Sequence, residues 1–240
     1  MPFRLLRIRF APLLFVSTLF GAFTIATGLT AGAESDYRLL RLDDRPVKWG
    51  GPEFGVGAEI TYAFLTTETS FDNARNCRRM TPAPPVVAAS GIDEATLAVE
   101  TAAAFALWEA AANVAFRKID DPAAANILIG ADDAPRGSAH ADVLAGPEDG
   151  PVGVISRGLV CLSTKQAWKI GFGADPKAQD LRYTLAHEIG HALGLDHPGP
   201  HGALMSFTYR EDFSGLQPGD VAGAEVLYGP ARRTVASRGD

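Results

Sequence analysis

The amino-acid sequence predicts a mixed α+β fold, because a helix lies between the first two strand-like segments and further strands precede a second helix. Residues 59–65 alternate apolar and polar side chains, as a half-buried strand does. Residues 92–113 are rich in Ala, Leu and Glu, with apolar side chains at helical spacing. The chain has 240 residues, which is enough for one domain with a sizeable core.

The first half of the chain contains the predicted sheet. Residues 34–56 are mixed in composition and are predicted to be irregular. Residues 66–91 are polar and then rich in Pro and small side chains, which predicts a long loop. Asp93 is the expected N-cap of the helix over 92–113, because its carboxylate can accept from a free N–H of the first turn. Further strands are predicted at 115–119, 126–130, 138–143 and 152–162.

The second half of the chain carries two more predicted helices. Asp175, followed by a proline, is typical of a helix start and predicts a helix over 176–194. Gly194 can adopt the left-handed conformation that ends a helix and turns the chain. Residues 198–215 are predicted to be loop, and residues 218–228 to form the last helix.

The segment from His187 to His197 has the spacing of a three-histidine metal site. His187 and His191 are four residues apart, so a helix places both imidazoles on one face. The turn at Gly194 can bring His197 back as a third nitrogen ligand. Three imidazoles leave the fourth position of a tetrahedral zinc for water, and Glu188 lies beside them as a proton acceptor. The spacing therefore predicts one catalytic zinc ion and hydrolysis by an activated water.

The same string, followed by Met205, resembles the metzincin metallopeptidases. Within them it looks like a matrixin, in a short form of the bacterial type. The resemblance covers about residues 46–229, from Lys48-Trp49 near its start to Leu227-Tyr228-Gly229 at its end. It implies a twisted, mixed five-stranded sheet with three helices, and a zinc cleft between an upper and a smaller lower subdomain. It also implies the activity of a zinc endopeptidase.

Further residues take expected roles from this resemblance. Met205 is expected to lie beneath the zinc as an apolar floor, and Gly194 to support the ligands by turning the chain. Tyr209, four residues after Met205, is expected on the wall of the main specificity pocket. Asp220 resembles the acid at the start of the family's last helix, where it could cap the helix, brace the turn at Met205, or do both.

Departures from the matrixin pattern bear on the metal sites. Pro198 follows the third histidine, as in the serralysin branch, although the Gly/Asp-rich calcium repeats of that branch do not occur in the sequence. The stretch 131–140 matches the structural-zinc loop of the family but is short and has one histidine, His140. A second zinc is therefore not expected, and His140 is expected at the rim of the cleft. His201 offers an alternative third ligand, which the Gly-x-x-His spacing of the motif disfavours.

Calcium has a less specific basis in the sequence. Asp132, Asp133, Glu148 and Asp149 are oxygen donors in predicted loops, but exposed acids are usually just solvated, and no spacing among them defines a calcium site. The net charge of −6 argues against nucleic acid and anionic membrane surfaces as partners. The expected partner is a protein or peptide substrate, and a monomer is expected.

Residues 1–33 have the composition of a secretory signal peptide. Three Arg open the segment, residues 10–29 carry no charge, and Ala31-Gly32-Ala33 offers a small-residue cleavage site. Cleavage would leave residues 34–240 as one catalytic domain, secreted or extracytoplasmic and without stable membrane association, and would move the net charge from −6 to −9. Without cleavage, residues 10–29 would remain as a membrane anchor, since they approach the length of a spanning helix.

The two cysteines, Cys77 and Cys161, are expected to form a disulfide, because export leads to an oxidising compartment. Matrixin pro-segments use a cysteine to block the zinc, which is the other role considered for Cys77. Cys77 lies after the first strand, within Arg75-Asn76-Cys77-Arg78-Arg79, which does not match that motif. The blocking role is therefore not expected.

These patterns together predict a secreted zinc endopeptidase. Two alternatives keep the fold without turnover: a catalytically silent peptide-binding protein, and a membrane-tethered protein that only binds peptides. Glu188 beside all three histidines argues against the catalytically silent protein, because a protein that only binds peptides needs no general base.

Overall fold

The computed structural model describes residues 37–133, 137–146, 150–173 and 175–232. The segment 1–33, expected to be a signal peptide or an anchor, lies outside the described residues, and so do Glu148 and Asp149. Within the described ranges, no helix is both long enough and apolar enough to span a membrane.

The described residues form four helices and thirteen strands, most of the strands being short. The helices are α1 (Pro84–Ala88), α2 (Glu94–Ala111), α3 (Leu181–Ala192) and α4 (Pro218–Tyr228). The strands are β1 (Arg38–Leu39), β2 (Arg41–Leu42), β3 (Arg45–Lys48), β4 (Ala58–Phe64), β5 (Thr69–Ser70), β6 (Arg79–Met80), β7 (Val114–Lys118), β8 (Ile127–Asp132), β9 (Ala139–Ala145), β10 (Gly153–Ser163), β11 (Trp168–Lys169), β12 (Gln179–Asp180) and β13 (Leu195–Asp196).

Five strands form the body of the main sheet, in the order β7-β4-β8-β10-β9. The first four run parallel, and the edge strand β9 pairs antiparallel with β10. The helix α2 connects β4 to β7 as the sequence predicts, because parallel neighbours need a crossover connection. The short strands β2 and β3 extend this sheet, since β3 pairs with the start of β10. This mixed, mostly parallel sheet with few helices confirms the predicted α+β class.

Two segments predicted to be irregular contain short elements. Residues 34–56 include β1, β2 and β3, and β1 pairs with β13, which lies between His191 and His197. Residues 66–91 include β5, β6 and the short helix α1. Both predictions were wrong for the same reason: strands of two to four residues are too short to show alternation in sequence, and distant partners define them.

The first helix begins as predicted, but the second begins later. Asp93 caps α2 by accepting from the Thr96 N–H at 2.7 Å. The helix predicted over 176–194 starts at Leu181 instead, and its N-cap is Asp180, which accepts from the Tyr183 N–H at 2.7 Å. Asp175 was the wrong cap, because the chain first forms β12, which pairs with β11, before it turns into α3.

The helix α3 lies at the centre of the molecule and most of its side chains are buried. The Trp108 indole of α2 donates to the Ala186 carbonyl at 2.9 Å, which joins the two long helices. At the end of α3, Trp49 donates to the Ala192 carbonyl at 2.8 Å, and Tyr228 donates to the Leu193 carbonyl at 2.6 Å. These donors satisfy carbonyls that a helix end leaves free and fix the direction in which the chain leaves α3.

The predicted disulfide between Cys77 and Cys161 is present. Both residues are fully buried in an apolar cluster of their own, which includes Met80, Leu128 and Leu159. The bond joins the connection between β4 and α2 to the central strand β10, across 84 residues of sequence. A segment predicted as a loop is therefore fixed to the sheet.

Candidate metal centre

The helix α3 presents His187 and His191 one turn apart on the same face. The helix ends at Ala192 with Leu193 as its C-cap, and Gly194 follows with a φ of +102°. A Cβ at Gly194 would also overlap the Val47 carbonyl oxygen, so glycine is required there by both conformation and space. The chain then passes through β13 and returns His197 to the two helical histidines.

The three imidazoles converge through their Nε2 atoms. The Nε2 of His187 lies 3.1 Å from that of His197 and 3.2 Å from that of His191, and the remaining pair is 3.0 Å apart. Zinc–nitrogen bonds of about 2.0–2.1 Å in a tetrahedral site place the nitrogens roughly 3.3 Å apart. The residues present therefore fit a zinc ion, and they form a group of metal-ligating side chains within the described ranges.

The hydrogen bonds of the Nδ1 atoms of His187 and His191 show that the Nε2 atoms of these two rings are unprotonated. The Nδ1 of His187 donates to the Leu204 carbonyl at 2.7 Å, and the Nδ1 of His191 donates to the Leu195 carbonyl at 2.8 Å. A carbonyl oxygen only accepts, so Nδ1 holds the proton of each neutral ring. Two unprotonated Nε2 atoms at contact distance repel each other unless a cation lies between them.

Burial keeps the three histidines neutral. Burial, with a smaller contribution from the neighbouring His197, lowers the pKa of His187 to about 4, although the hydrogen bond with the Leu204 carbonyl opposes the shift. Burial and the two neighbouring histidines hold the pKa of His191 well below its usual range. The pKa of His197 is also lowered, mainly by burial, although Asp196 opposes the shift. Neutral imidazole is the form that binds a metal, so the site is prepared for a cation near neutral pH.

Glu188 lies next to His187 on α3 and is buried. Burial raises the pKa of its carboxyl to about 8, the charge of Asp142 adds to the rise, and a hydrogen bond with the Ala141 backbone opposes it. A carboxyl whose pKa lies near neutrality can both accept and return a proton. The side chain is outside the group formed by the three histidines.

Met205 lies beneath the helix at the level of the metal site. It is buried, and a Cβ at Gly190 of α3 would overlap its sulfur, so the thioether packs directly on the helix backbone. Residues 203–206, called here the Met205 turn, include Leu204, whose carbonyl orients His187. Met205 therefore packs on the part of α3 between His187 and His191, and its role as a floor beneath a zinc ion stays a prediction.

Asp220 braces the Met205 turn from α4. Its carboxylate accepts from the Leu204 N–H at 2.8 Å and from the Met205 N–H at 3.0 Å. It is the third residue of α4, not the N-cap: Gln217 is the cap, and its N–H donates to Asp220 at 2.7 Å. Of the roles considered for Asp220, bracing the turn is present, and capping takes the form of a capping box.

Tyr209 lines the cleft, and its hydroxyl group both accepts and donates a hydrogen bond. It accepts from the Asp180 N–H at 2.8 Å and donates to Glu211 at 2.8 Å. Glu211 also accepts from the Gly173 N–H at 2.7 Å and pairs with Lys169 at 2.6 Å. This network fixes residues 198–215, called here the lower loop, to the chain before α3.

The cleft over the histidines has a volume of about 740 Å³. The edge strand β9 lines one side, and Tyr183, Phe207 and Tyr209 lie among the residues of the opposite side. The cleft is also lined by Leu40 and Leu42 near the N-terminus of the described chain, and by Asn73, Arg75 and Asn76. A cleft of this size, between a strand edge and a set of aromatic side chains, can hold an extended peptide.

Two parts of this cleft were not predicted from the sequence. One is Asp142, a buried acid on β9 that faces both Glu188 and the disulfide-bearing segment. The other is residues 71–79, called here the upper loop, because they carry Cys77 and lie above the cleft. An acid at a buried position of a predicted strand was the available signal for Asp142, and no local pattern marks the upper loop.

Other predicted residues lie apart from the three converging histidines. His140 lies on β9 at the cleft, as expected for a rim residue. His201 is exposed in the lower loop and is not among the grouped ligands. Asp132 is buried and accepts from the Arg79 N–H at 3.3 Å, whereas Asp133 is exposed.

Comparison with known proteins gives one family. A family model described as matrixin matches residues 86–229, more than half of the chain. The chain is 39% identical to stromelysin-3 of Homo sapiens over 110 residues, which cover 41% of the chain and 21% of that protein. It is 34% identical to metalloendoproteinase 1-MMP of Arabidopsis thaliana over 140 residues, covering 53% and 36%. It is 26% identical to matrix metalloproteinase-20 of Homo sapiens over 193 residues, covering 75% and 37%. The matches span about a fifth to somewhat over a third of the length of these relatives.

Proposed function

The chain belongs to the matrixin family, and on that premise we propose that it is a secreted zinc-dependent endopeptidase. In this proposal His187, His191 and His197 hold one catalytic zinc ion, and Glu188 is the general base. The substrate is a protein or peptide that binds in the cleft along β9.

The convergence of three Nε2 atoms supports this proposal more than any other observation. The carbonyls of Leu204 and Leu195 fix the tautomers of His187 and His191, so the inner lone pairs point toward one another at 3.2 Å. A folded protein does not bring unprotonated nitrogens together in a buried place without a compensating charge, since the cost of unsatisfied polar groups is high. A divalent cation is that charge.

The proposed reaction divides the work between the metal and the chain. Zinc in a three-histidine site supplies a Lewis acid that makes water acidic near pH 7 and polarises a carbonyl group. Glu188 takes the proton from the attacking water and passes it to the amine that leaves. Its buried position suits both steps, because the raised pKa lets it hold the proton between them.

The edge of β9 supports the placement of the substrate. This strand pairs only with β10 among the described strands, and its residues from Ala139 to Leu144 line the cleft. An extended peptide can add to such an edge through backbone hydrogen bonds, which position a peptide bond without reference to its side chains. Tyr209, fixed by Asp180 and Glu211, then forms part of the wall that receives a substrate side chain.

Export belongs to the same proposal. The Cys77–Cys161 disulfide supports an oxidising compartment, because such bonds do not persist in a reducing cytosol. Residues 1–33 would then be the signal peptide and residues 34–240 the mature domain. A monomer and the absence of a nucleic-acid partner remain part of the proposal, and calcium is not included in it.

Peptide hydrolysis with and without a chelator tests the proposal. The purified protein should cleave members of a mixed peptide library, and removal of the metal should stop cleavage until zinc is restored. Glu188→Ala should lower kcat by about 10²–10⁴-fold while zinc content stays near one per chain, because the ligands are untouched. His191→Ala should lose zinc as well as activity, since it opens the coordination shell.

The exposed Glu225 of α4 provides a matched control, because Glu225→Ala removes the same group far from the cleft. It should retain full activity. Binding of peptides without any cleavage would favour the silent or membrane-tethered alternative, and substantial activity in Glu188→Ala would contradict the proposed general base.

A further inference from the structure

The upper loop, residues 71–79, is a fixed wall of the cleft. The disulfide at Cys77 joins it to β10, and the Phe71 N–H donates to the Arg78 carbonyl at 2.8 Å to close it on itself. The carboxylate of Asp142 accepts from the Asn76 N–H at 2.7 Å and from the Cys77 N–H at 2.8 Å. Side chains on this loop are therefore presented to the cleft from a backbone that is already ordered.

Arg75 differs in charge from the other side chains that line the cleft. It is the one Lys or Arg among the described lining residues, and it is exposed. No acid lies within 4.0 Å of its guanidinium in the described part of the chain. The three lining acids have other partners: Asp142 accepts from the upper loop, Asp196 pairs with Arg38 at 3.1 Å, and Glu188 has a hydrogen bond with the Ala141 backbone.

The charge around Arg75 is also positive. The upper loop contains Arg75, Arg78 and Arg79 against the single acid Asp72, in a chain whose net charge is −6. Arg79 has an acid nearby, Glu68, at 4.0 Å. The wall formed by this loop is thus a local cationic surface at the edge of the cleft.

We propose that Arg75 is a specificity-determining residue that recognises an acidic side chain of the bound peptide. The inference rests on the proposed function, because it assumes that the cleft binds peptides. A guanidinium matches a carboxylate with two parallel N–H donors, which an ammonium or an amide does not. Because the disulfide and Asp142 already order the backbone, only the Arg75 side chain loses freedom on binding.

Paired peptides that differ by one group test the proposal. A cleavable sequence is varied to Glu or Gln at each position on either side of the scissile bond, and kcat/KM is measured for each pair. The protein should prefer Glu at one position by about threefold to fivefold, the range of an exposed ion pair. Arg75→Gln should remove this preference and Arg75→Glu should reverse it.

Arg78→Gln is the matched control, because Arg78 is exposed on the same loop but does not line the cleft. It should keep the preference for Glu. The preference should also weaken as salt is raised, since exposed charges are screened. A wild-type protein without any preference, or a preference that survives in Arg75→Gln, would overturn the proposal.

Binding to an inactive protein separates this inference from the proposed function. Fluorescence anisotropy of the labelled Glu and Gln peptides is measured on zinc-loaded Glu188→Ala, with and without Arg75→Gln. The same threefold to fivefold ratio should appear in Kd and vanish with Arg75→Gln. If no peptide is cleaved by the wild type, the endopeptidase proposal fails, and the ratio of Kd values still decides the role of Arg75: equal values would refute it.

Discussion

The Met205 turn and the upper loop lie on opposite sides of the cleft and are fixed by the same device. In each, one buried aspartate accepts hydrogen bonds from two successive backbone N–H groups. Asp220 does this for the Met205 turn, and Asp142 does it for the upper loop. A carboxylate satisfies several backbone donors at once, which lets a segment without regular structure be buried.

The two regions differ in what supports the aspartate. The upper loop has a covalent bond to the sheet through Cys77, whereas the Met205 turn has only packing and hydrogen bonds. They also differ in what they hold. The Leu204 carbonyl of the Met205 turn orients His187, so the turn is coupled to the metal ligands, and the upper loop has no such contact among the described residues. A substitution that loosens the Met205 turn should therefore lower both stability and zinc affinity. A substitution that loosens the upper loop should lower stability alone.

Removal of the Asp220 carboxylate should have the largest effect. Asp220→Ala leaves three backbone N–H groups without this acceptor, two of them buried, and we expect it to lower the free energy of unfolding by about 3–4 kcal/mol. Zinc affinity should fall as well, because the Leu204 carbonyl no longer holds the His187 ring in place. Urea unfolding and zinc titration with a competing chelator measure the two effects.

Asparagine at the two aspartate positions is the matched comparison. Asp220→Asn keeps one acceptor oxygen and should lose less stability than Asp220→Ala, while still weakening zinc binding. Asp142→Asn should leave zinc affinity unchanged, since its partners belong to the upper loop. Equal losses of zinc affinity in both variants would break the distinction between the two regions.

Loss of the disulfide should rank next. Replacing both Cys77 and Cys161 by alanine should lower the free energy of unfolding by about 2–3 kcal/mol, because the bond closes a long loop in the unfolded chain. Zinc content should remain near that of the wild type. A reducing agent should destabilise the wild type and leave the double variant unaffected, and loss of zinc in the double variant would show that the upper loop does support the metal.

The smallest effect concerns acid sensitivity of the lower loop. Hydrogen bonds from the Gly173 N–H and from Lys169 hold the pKa of Glu211 at about 2. A depressed folded-state pKa gives stability that is present above the usual pKa of a glutamate and is lost as pH falls toward the folded value. Part of the loss of thermal stability between about pH 5 and about pH 2 should therefore come from Glu211. Glu211→Gln should flatten this part of the pH profile, and a profile identical to the wild type would contradict it.

Much of the site could be predicted from local sequence. The i, i+4 spacing of His187 and His191 on a helix is a property of helix geometry, so it needs no tertiary information. Gly194 and His197 follow His191 by three and six residues, so His197 can reach the other two histidines only if the chain turns tightly after the helix. The helix α2 and the strand β4 were also predictable, because their buried side chains recur at the spacing of a helix and of a strand.

Long-range contacts were not predictable in the same way. The two-residue strand β1 is defined by its partner β13, and the start of α3 at Leu181 depends on the pairing of β12 with β11. For Asp220 the sequence left open helix capping, bracing of the Met205 turn, or both, and only its contacts with Leu204 and Met205 show that it braces the turn.

The sequence by itself determined the identity of the three histidines that converge, the helix that carries two of them and the cysteines available for a bond. Each of these depends on residue type and near spacing. The tertiary structure alone decided that Asp142, the upper loop and the Met205 turn meet around the cleft. Those contacts join residues 15 to 66 positions apart, and they form because hydrogen bonds to a carboxylate offset the cost of burying it, which no local pattern in the chain encodes.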